Sequence, residues 1–416
     1  MKIKDVVYAI GRSGYVNKDL MAAKAGAEAD GFIYRGKPVL PGFKKIVQPG
    51  TVISVMLLLE DGQVAFGDCA DVILTGIAGR DPLFDAASHM AFLETTMRDM
   101  LRGQSVAHFR PLAERIDGYS EGGRRLHTAL RYGITQALLH AAALSGRVTM
   151  AEIVAREYGG EIAAEPLPIL ASCHKDDAMQ LDRMILKRAA LLPHASFTIV
   201  ERDIGLQGEK LLDYATRLVR RIRDIGDADY RPTIHLDVYG TLGELFQNDV
   251  ARMAEYLGRL AAAVQPFELL IESPVIAKTL EAQIGIFGAL KAELRRCRAG
   301  VRVIVDEWCN TLEDIRRFAD SGAADFVQIK TPDLGGINNA IEAVLYCRTK
   351  GMGACLGGTA NETDQSARIT THIGLACRPD FLLSKPGLGG DEALMIQTNE
   401  MIRTLALIKA REAVIA

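Results

Sequence analysis

The chain has 416 residues, 49% of them hydrophobic and 24% charged, with a formal net charge of -3. That length exceeds one ordinary domain and suits two, or one large barrel with an addition, while the hydrophobic share allows a large core. The weakly acidic balance excludes the basic footprint of a nucleic-acid or anionic-membrane binder and points to a small-molecule partner.

Residues 1–160 read as α+β. Positions 1–10 alternate like an edge strand and lack the apolar core of a signal peptide. Residues 51–60 and 63–69 flank Asp61–Gly62, the strongest short hairpin signal available. The glycine-containing stretch 74–80 reads as a mobile loop. Helical spacing follows over 84–101 and again, more strongly, over 124–144. No run approaches about 18 uninterrupted apolar residues, so no spanning helix is expected.

From about Glu165 the rhythm becomes strand, helix, strand, helix. Strands are expected at 167–173, 196–200, 233–238, 268–272, 301–306, 326–330, 354–357 and 381–384. Between them Leu211, Leu212, Ala215, Leu218, Val219 and Ile222 mark one helix face. Asn310 with Glu313 reads as a capping box, and Gly335–Gly336 as a turn into a helix ending near Cys347. Eight alternations in roughly 240 residues fit a (β/α)8 barrel better than a doubly wound sheet, and no Gly-x-Gly-x-x-Gly follows the first strand. The expected division is therefore a capping domain over 1–160 and a barrel over 161–416. Seven cysteines, at 69, 173, 297, 309, 347, 355 and 377, form no Cys-x-x-Cys pair and fit a reducing cytosol better than a disulfide framework.

Four consecutive strands of that barrel end in charge: Asp237, Glu272, Asp306 and Lys330. One strand-end acid commonly caps a helix or pairs with arginine. Three on neighbouring strands repel one another unless a cation lies between them, and three hard oxygens with open positions suit Mg²⁺. Lys330, desolvated near such a cation, is expected to fall toward the range of a general base. Gln328 shares its inward face, because strand side chains repeat every two residues. His194, placed at the start of strand two, is either structural or a proton donor across the mouth from Lys330. His235, two residues before Asp237, receives no role. In 356–363, glycines and a helix N-terminus offer Thr359 and the Ala360 amide to a carboxylate, or make an ordinary capped turn. A divalent ion, a lysine and a histidine so arranged suit removal of a proton α to a carboxylate through a stabilised enediolate.

Longer stretches carry a resemblance. GlyAspCysAla (67–70), GlyArgAspProLeuPhe (79–84), HisLeuAspValTyrGlyThr (235–241), AspGluTrpCysAsnThr (306–311), ValGlnIleLysThrProAspLeuGlyGly (327–336) and GlyGlyThrAlaAsnGluThr (357–363) resemble methylaspartate ammonia-lyases of the enolase superfamily. The resemblance implies a homodimer with a capping domain, using Mg²⁺ and a monovalent cation such as K⁺. It implies Asp237, Glu272 and Asp306 as metal ligands and Lys330 as the base that takes the C3 proton of 3-methylaspartate, giving mesaconate and ammonia. It also implies His194 opposite that base, with Gln328, Thr359 and the Ala360 backbone contacting substrate. The chain departs from the pattern at Ile73 and Ser172, where the family has glutamine. Each lost hydrogen bond to a charged group is worth about 1.5–3 kcal/mol, so the amino-acid end of the substrate is where a change is expected. Two alternatives stand beside this reading: a dehydratase or lyase acting on a less polar substrate, and a catalytically silent barrel that binds a ligand.

Overall fold

The computed structural model describes residues 1–77 and 79–415; Ala78, in the expected loop 74–80, lies outside the described residues. The first sheet is three-stranded and antiparallel, ordered Ile3–Lys18, Val47–Leu59, Val64–Cys69. Its outer strand begins as expected but runs to Lys18 instead of residue 10. Asp61–Gly62 closes the hairpin, with Gly62 at φ +88°, a backbone that glycine adopts without strain. The long helix is Thr128–Gly146, shorter at its start than read, because Arg124–Arg125 pairs with Ser120–Glu121 as a small hairpin. Apart from half-buried His140, this helix is buried from Ala129 to Ala143, which leaves it almost no solvent face there. It lies flush on the sheet because glycines meet: a Cβ on Gly133 would stand 2.3 Å from the Cys69 amide nitrogen, and one on Gly67 only 2.2 Å from the Gly133 carbonyl.

The second sheet is a closed barrel of eight parallel strands in chain order. They are Ile169–Leu170, Leu191–Ser196, Thr233–Asp237, Leu269–Glu272, Val301–Val305, Phe326–Ile329, Gly353–Leu356 and Phe381–Leu383. Strands three to eight fall within a residue or so of expectation. The second does not: the expected 196–200 touches it only at Ser196, and Val200–Ile204 is a short π-turned helix. His194 therefore sits inside this strand, near its end, and not before it. The register explains how. Pro193 pairs with His235 and Ala195 with Leu236, so His194 is an extra residue, a bulge held at φ +51°.

Inside the barrel, Leu170, Leu270, Ile304, Phe326, Cys355 and Phe381 belong to one apolar plug. Two residues further along the same strands come Ser172, Glu272, Asp306, Gln328 and Gly357. The two-residue period of a strand thus sets the polar floor of the mouth directly above the plug. Asp237 pairs in register with Glu272, and Glu272 with Ile304, so the carboxylates face one side. Past the strand ends the chain turns sharply, with Tyr239, Ser273 and Trp308 all at positive φ, a costly backbone for side chains of this size. The fifth strand's helix, Leu312–Ser321, is capped one residue later than read, by Thr311 with Asp314. Asn310 is drawn elsewhere, accepting from Arg80 at 2.8 Å. Among the described residues no single helix is long and apolar enough to cross a membrane.

Candidate active site

The four strand-end charges lie at the same end of the barrel, near enough to act on one another electrostatically. Asp237, Glu272 and Asp306 are 7%, 2% and 4% exposed, and Lys330 follows the sixth strand immediately. Asp237 accepts from the Ser196 hydroxyl at 2.9 Å and the Tyr239 amide at 3.1 Å. Its carboxyl is pushed up to about 7, first by burial and then by the charge of Glu272. Glu272 behaves in the opposite way. Burial disfavours its charge, but His194 and His235 outweigh that and hold it well below the usual range. The Nε2 atoms of those imidazoles stand 3.5 and 3.0 Å from its Oε2, yet that oxygen is buried without an aligned hydrogen bond.

Lys330 Nζ donates to Asp306 Oδ2 at 2.5 Å and lies 3.8 Å from Glu307 Oε1. The expected downward displacement of Lys330 is not met with these neighbours. Burial acts in that direction, but the two carboxylates overcome it and keep the ammonium above its ordinary range. His194 is on the second strand and Lys330 after the sixth, half a turn apart around eight strands. Burial opposes the charged form of His194, and Glu272, Asp237 and Asp306 together raise it nonetheless. His235 stays below its ordinary range because burial dominates there.

The other expected contacts line the same mouth. Gln328 is 1% exposed and its Oε1 has no hydrogen-bond partner. A Cβ on Gly357 would come 2.1 Å from that oxygen, so the glycine makes room for the amide. Ser172 meets His194 Nδ1 at 3.4 Å, and its amide donates to the Ser384 hydroxyl at 2.8 Å. Ile73 lies against Thr359, its amide donating to Oγ1 at 3.3 Å, which joins the segment after the N-terminal sheet to the barrel. Ala360 is buried beside it. The Thr359 amide donates to Glu362 Oε2 at 2.7 Å, so an internal carboxylate already uses it.

Several groups here were not singled out from sequence. Arg80 reaches from the segment after the N-terminal sheet onto Asp333 at 3.0 Å and Glu307 at 3.1 Å. Glu307, next to Asp306, keeps Oε1 buried and unpartnered toward Lys330. Tyr132, Glu362 and Lys385 form a buried cluster under Thr359. Arg80 and Glu362 do lie within stretches that carry the family resemblance, which was the available signal.

Two donor sets could hold a cation, and they share Glu272. Asp237, Glu272 and Asp306 offer hard carboxylate oxygens, the ligand type a divalent oxygen-seeking ion such as Mg²⁺ takes, with one Asp306 oxygen held by Lys330. His194, His235 and Glu272 place ligand atoms within 4.8 Å of one another, a mixed set that suits softer metals.

The methylaspartate ammonia-lyase N-terminal family model matches residues 1–159 and the C-terminal model residues 161–410. Methylaspartate ammonia-lyase 2 of Carboxydothermus hydrogenoformans is 50% identical over 99% of both chains. β-Methylaspartase from Clostridium tetanomorphum, solved as a Mg complex, is 47% identical with a TM-score of 0.95, covering 99% of this chain and all 100% of its own. Methylaspartate ammonia lyase from Citrobacter amalonaticus, solved with (2S,3S)-3-methylaspartic acid, is 45% identical with a TM-score of 0.96, covering 98% and 100%. A muconate cycloisomerase from Pseudomonas fluorescens, 16% identical with a TM-score of 0.62 over 93% of this chain and 88% of its own, shares the fold alone.

Proposed function

This chain belongs to the methylaspartate ammonia-lyase family and is an ammonia-lyase, and from that premise we propose that it removes the C3 proton of 3-methylaspartate and releases ammonia to give mesaconate. The observation that carries the proposal is the ring of charge at the strand ends: acids on three neighbouring strands, a lysine on the next, and a histidine half a turn away. Asp237, Glu272 and Asp306 would hold Mg²⁺, which when bound would neutralise the negative charge that builds on the substrate carboxylate.

The chain's own groups supply the rest. With carboxylate charge taken up elsewhere, the pull of Asp306 on Lys330 weakens and burial lowers the amine toward a base. Lys330 Nζ then accepts the C3 proton. His194, fixed on its bulge between Ser172 and Glu272, faces the substrate from the opposite strand. Thr359 keeps its hydroxyl proton for the substrate carboxylate while accepting from the Ile73 amide, and the unpartnered Gln328 oxygen takes a donor such as the substrate ammonium. Residues 1–160 act as the cap that excludes water, and 161–416 as the catalytic barrel. A monovalent activator such as K⁺, a homodimer and a cytoplasmic location belong to the same proposal. The reading is tested by ultraviolet absorbance of mesaconate formed from 3-methylaspartate with Mg²⁺ and K⁺. Product that appears, vanishes with chelator and returns with Mg²⁺ supports it; no product under any of these conditions refutes it.

A second reading keeps proton abstraction and changes the substrate. Ser172 is short and is engaged by Ser384 and His194, and Ile73 has no side-chain amide. Both favour a less polar amino acid or a hydroxy-diacid. Comparing amino and hydroxy diacids side by side decides between the two.

A further inference from the structure

Beneath the loop that follows the seventh strand lies a cluster of charge that the chemistry above does not use. Glu362 and Lys385 are both 0% exposed and form an ion pair of 3.0 Å. Every direction of the Glu362 carboxylate is taken. Oε2 accepts from Lys385 Nζ and from the Thr359 amide at 2.7 Å. Oε1 accepts from the Tyr132 hydroxyl at 2.5 Å and, more weakly, from Thr331 Oγ1 at 3.4 Å. Lys385 also donates to the Gly357 carbonyl at 2.9 Å. Gly358 lacks a side chain for a visible reason: a Cβ there would stand 1.8 Å from Glu362 Oε2 and 2.4 Å from Lys385 Nζ.

These partners come from four places. Thr331 directly follows Lys330 at the end of the sixth strand. Gly357 and Thr359 belong to the loop after the seventh, and Lys385 lies just past the eighth. Tyr132 comes from the central helix of the capping unit. A fully buried, fully paired carboxylate is rigid, because water cannot replace any partner it gives up.

We infer that Glu362, held by Lys385, is a positioning residue that fixes the strand-seven loop and Thr331 beneath the substrate and couples both to the cap through Tyr132. It touches no reacting atom and acts through Thr359 and through the residue next to the base. Because Glu362 occupies the Thr359 amide, substrate is left to the Thr359 hydroxyl. The inference rests on the assignment of Thr359 and Lys330 made above.

The test is hydrogen–deuterium exchange of Glu362→Gln across 357–363, with 47–69 as the internal reference, alongside steady-state kinetics on 3-methylaspartate. The glutamine keeps the shape but puts an NH₂ group where donors already point. Exchange in 357–363 is expected to quicken about tenfold or more while 47–69 is unchanged. KM is expected to rise about tenfold with kcat within about threefold. The double variant Glu362→Gln/Lys385→Met removes both charges, and it should recover the unfolding midpoint but not the exchange or KM. Should Glu362→Gln fail to fold, Tyr132→Phe removes one donor and is expected to show the same pattern at about threefold. Exchange in 357–363 as slow as in the unmodified chain, a uniform rise across all peptides, or an unchanged KM would overturn the inference. If the unmodified chain makes no mesaconate, the proposed reaction is wrong, and positioning is then judged from the exchange alone.

Discussion

Two clusters of buried charge share the mouth of this barrel, and they are built on opposite terms. Around Glu362, each carboxylate oxygen has two donors, and the one ammonium facing it balances its charge. Around Glu272, acids outnumber the cations, Glu272 Oε2 and Glu307 Oε1 accept no hydrogen bond, and Asp237 is driven up to about 7. The acids of both clusters are buried, although Lys330 and His194 in the open one keep some exposure, so burial of the carboxylates alone does not separate them. What separates them is satisfaction: a closed network holds the protein to itself, while an open one, costly as it stands, is completed by something that binds. The difference teaches where to expect function in a barrel whose eight strands look alike in sequence.

Substitutions should break the two clusters in opposite ways. The largest effect is expected at Lys330, where alanine should lower kcat by about 10²–10⁴-fold, the usual worth of a general base. Calorimetric titration should show Mg²⁺ binding retained, since the lysine is not among the proposed ligands. Next is Lys385→Met, which strands Glu362 as a buried unpaired charge and should cost about 3–5 kcal/mol in urea unfolding. In the open cluster the sign reverses. Asp237→Asn removes a charge disfavoured from 3.8 to about 7 and should stabilise the chelated protein at pH 8 by up to about 4 kcal/mol, while abolishing activation by Mg²⁺. Loss of stability in that variant under chelation would erase the contrast.

The smallest effect sharpens the same point with pH. Asp117 is another closed site, accepting from Arg131 and Arg125 at 2.6 Å, the Gly336 amide at 2.9 Å and Asn339 at 3.0 Å. Burial disfavours its charge, yet Arg131 and these donors hold its carboxyl below the ordinary value. A depressed acid contributes stability above its unfolded pKa and loses it as pH falls through the folded one. Asp117→Asn should therefore lower the thermal midpoint at pH 7 and narrow the gap from the unmodified chain as pH drops below about 4. A gap that stays constant with pH would show that the carboxylate charge is not the cause.

Much of this could be read before any coordinates. Asp237, Glu272, Asp306 and Lys330 stood out because each ends an apolar run, and a parallel barrel turns strand ends into one site. The second strand was misplaced because Pro193 interrupts Leu191–Ser196, while the alternating SerPheThrIleVal that follows imitates a strand better. The bulge that turns His194 inward leaves no periodic trace. Thr311 and Asn310 both suit a helix cap; the fold caps with Thr311 and gives the Asn310 oxygen to Arg80. Arg80 with Asp333, and Tyr132 with Glu362, meet across hundreds of residues. No local pattern encodes such a meeting, which is why the closed network and the clasp on Glu307 emerged only from the folded chain.

The sharpest experiment follows deuterium at C3 of 3-methylaspartate by proton NMR in D₂O, with the unmodified protein and Mg²⁺. The open cluster and Lys330 predict deuterium entering C3, stopped by chelator, restored by Mg²⁺ and absent in Lys330→Ala. Exchange that persists in chelator, or that Lys330→Ala carries out as fast as the unmodified protein, would contradict it.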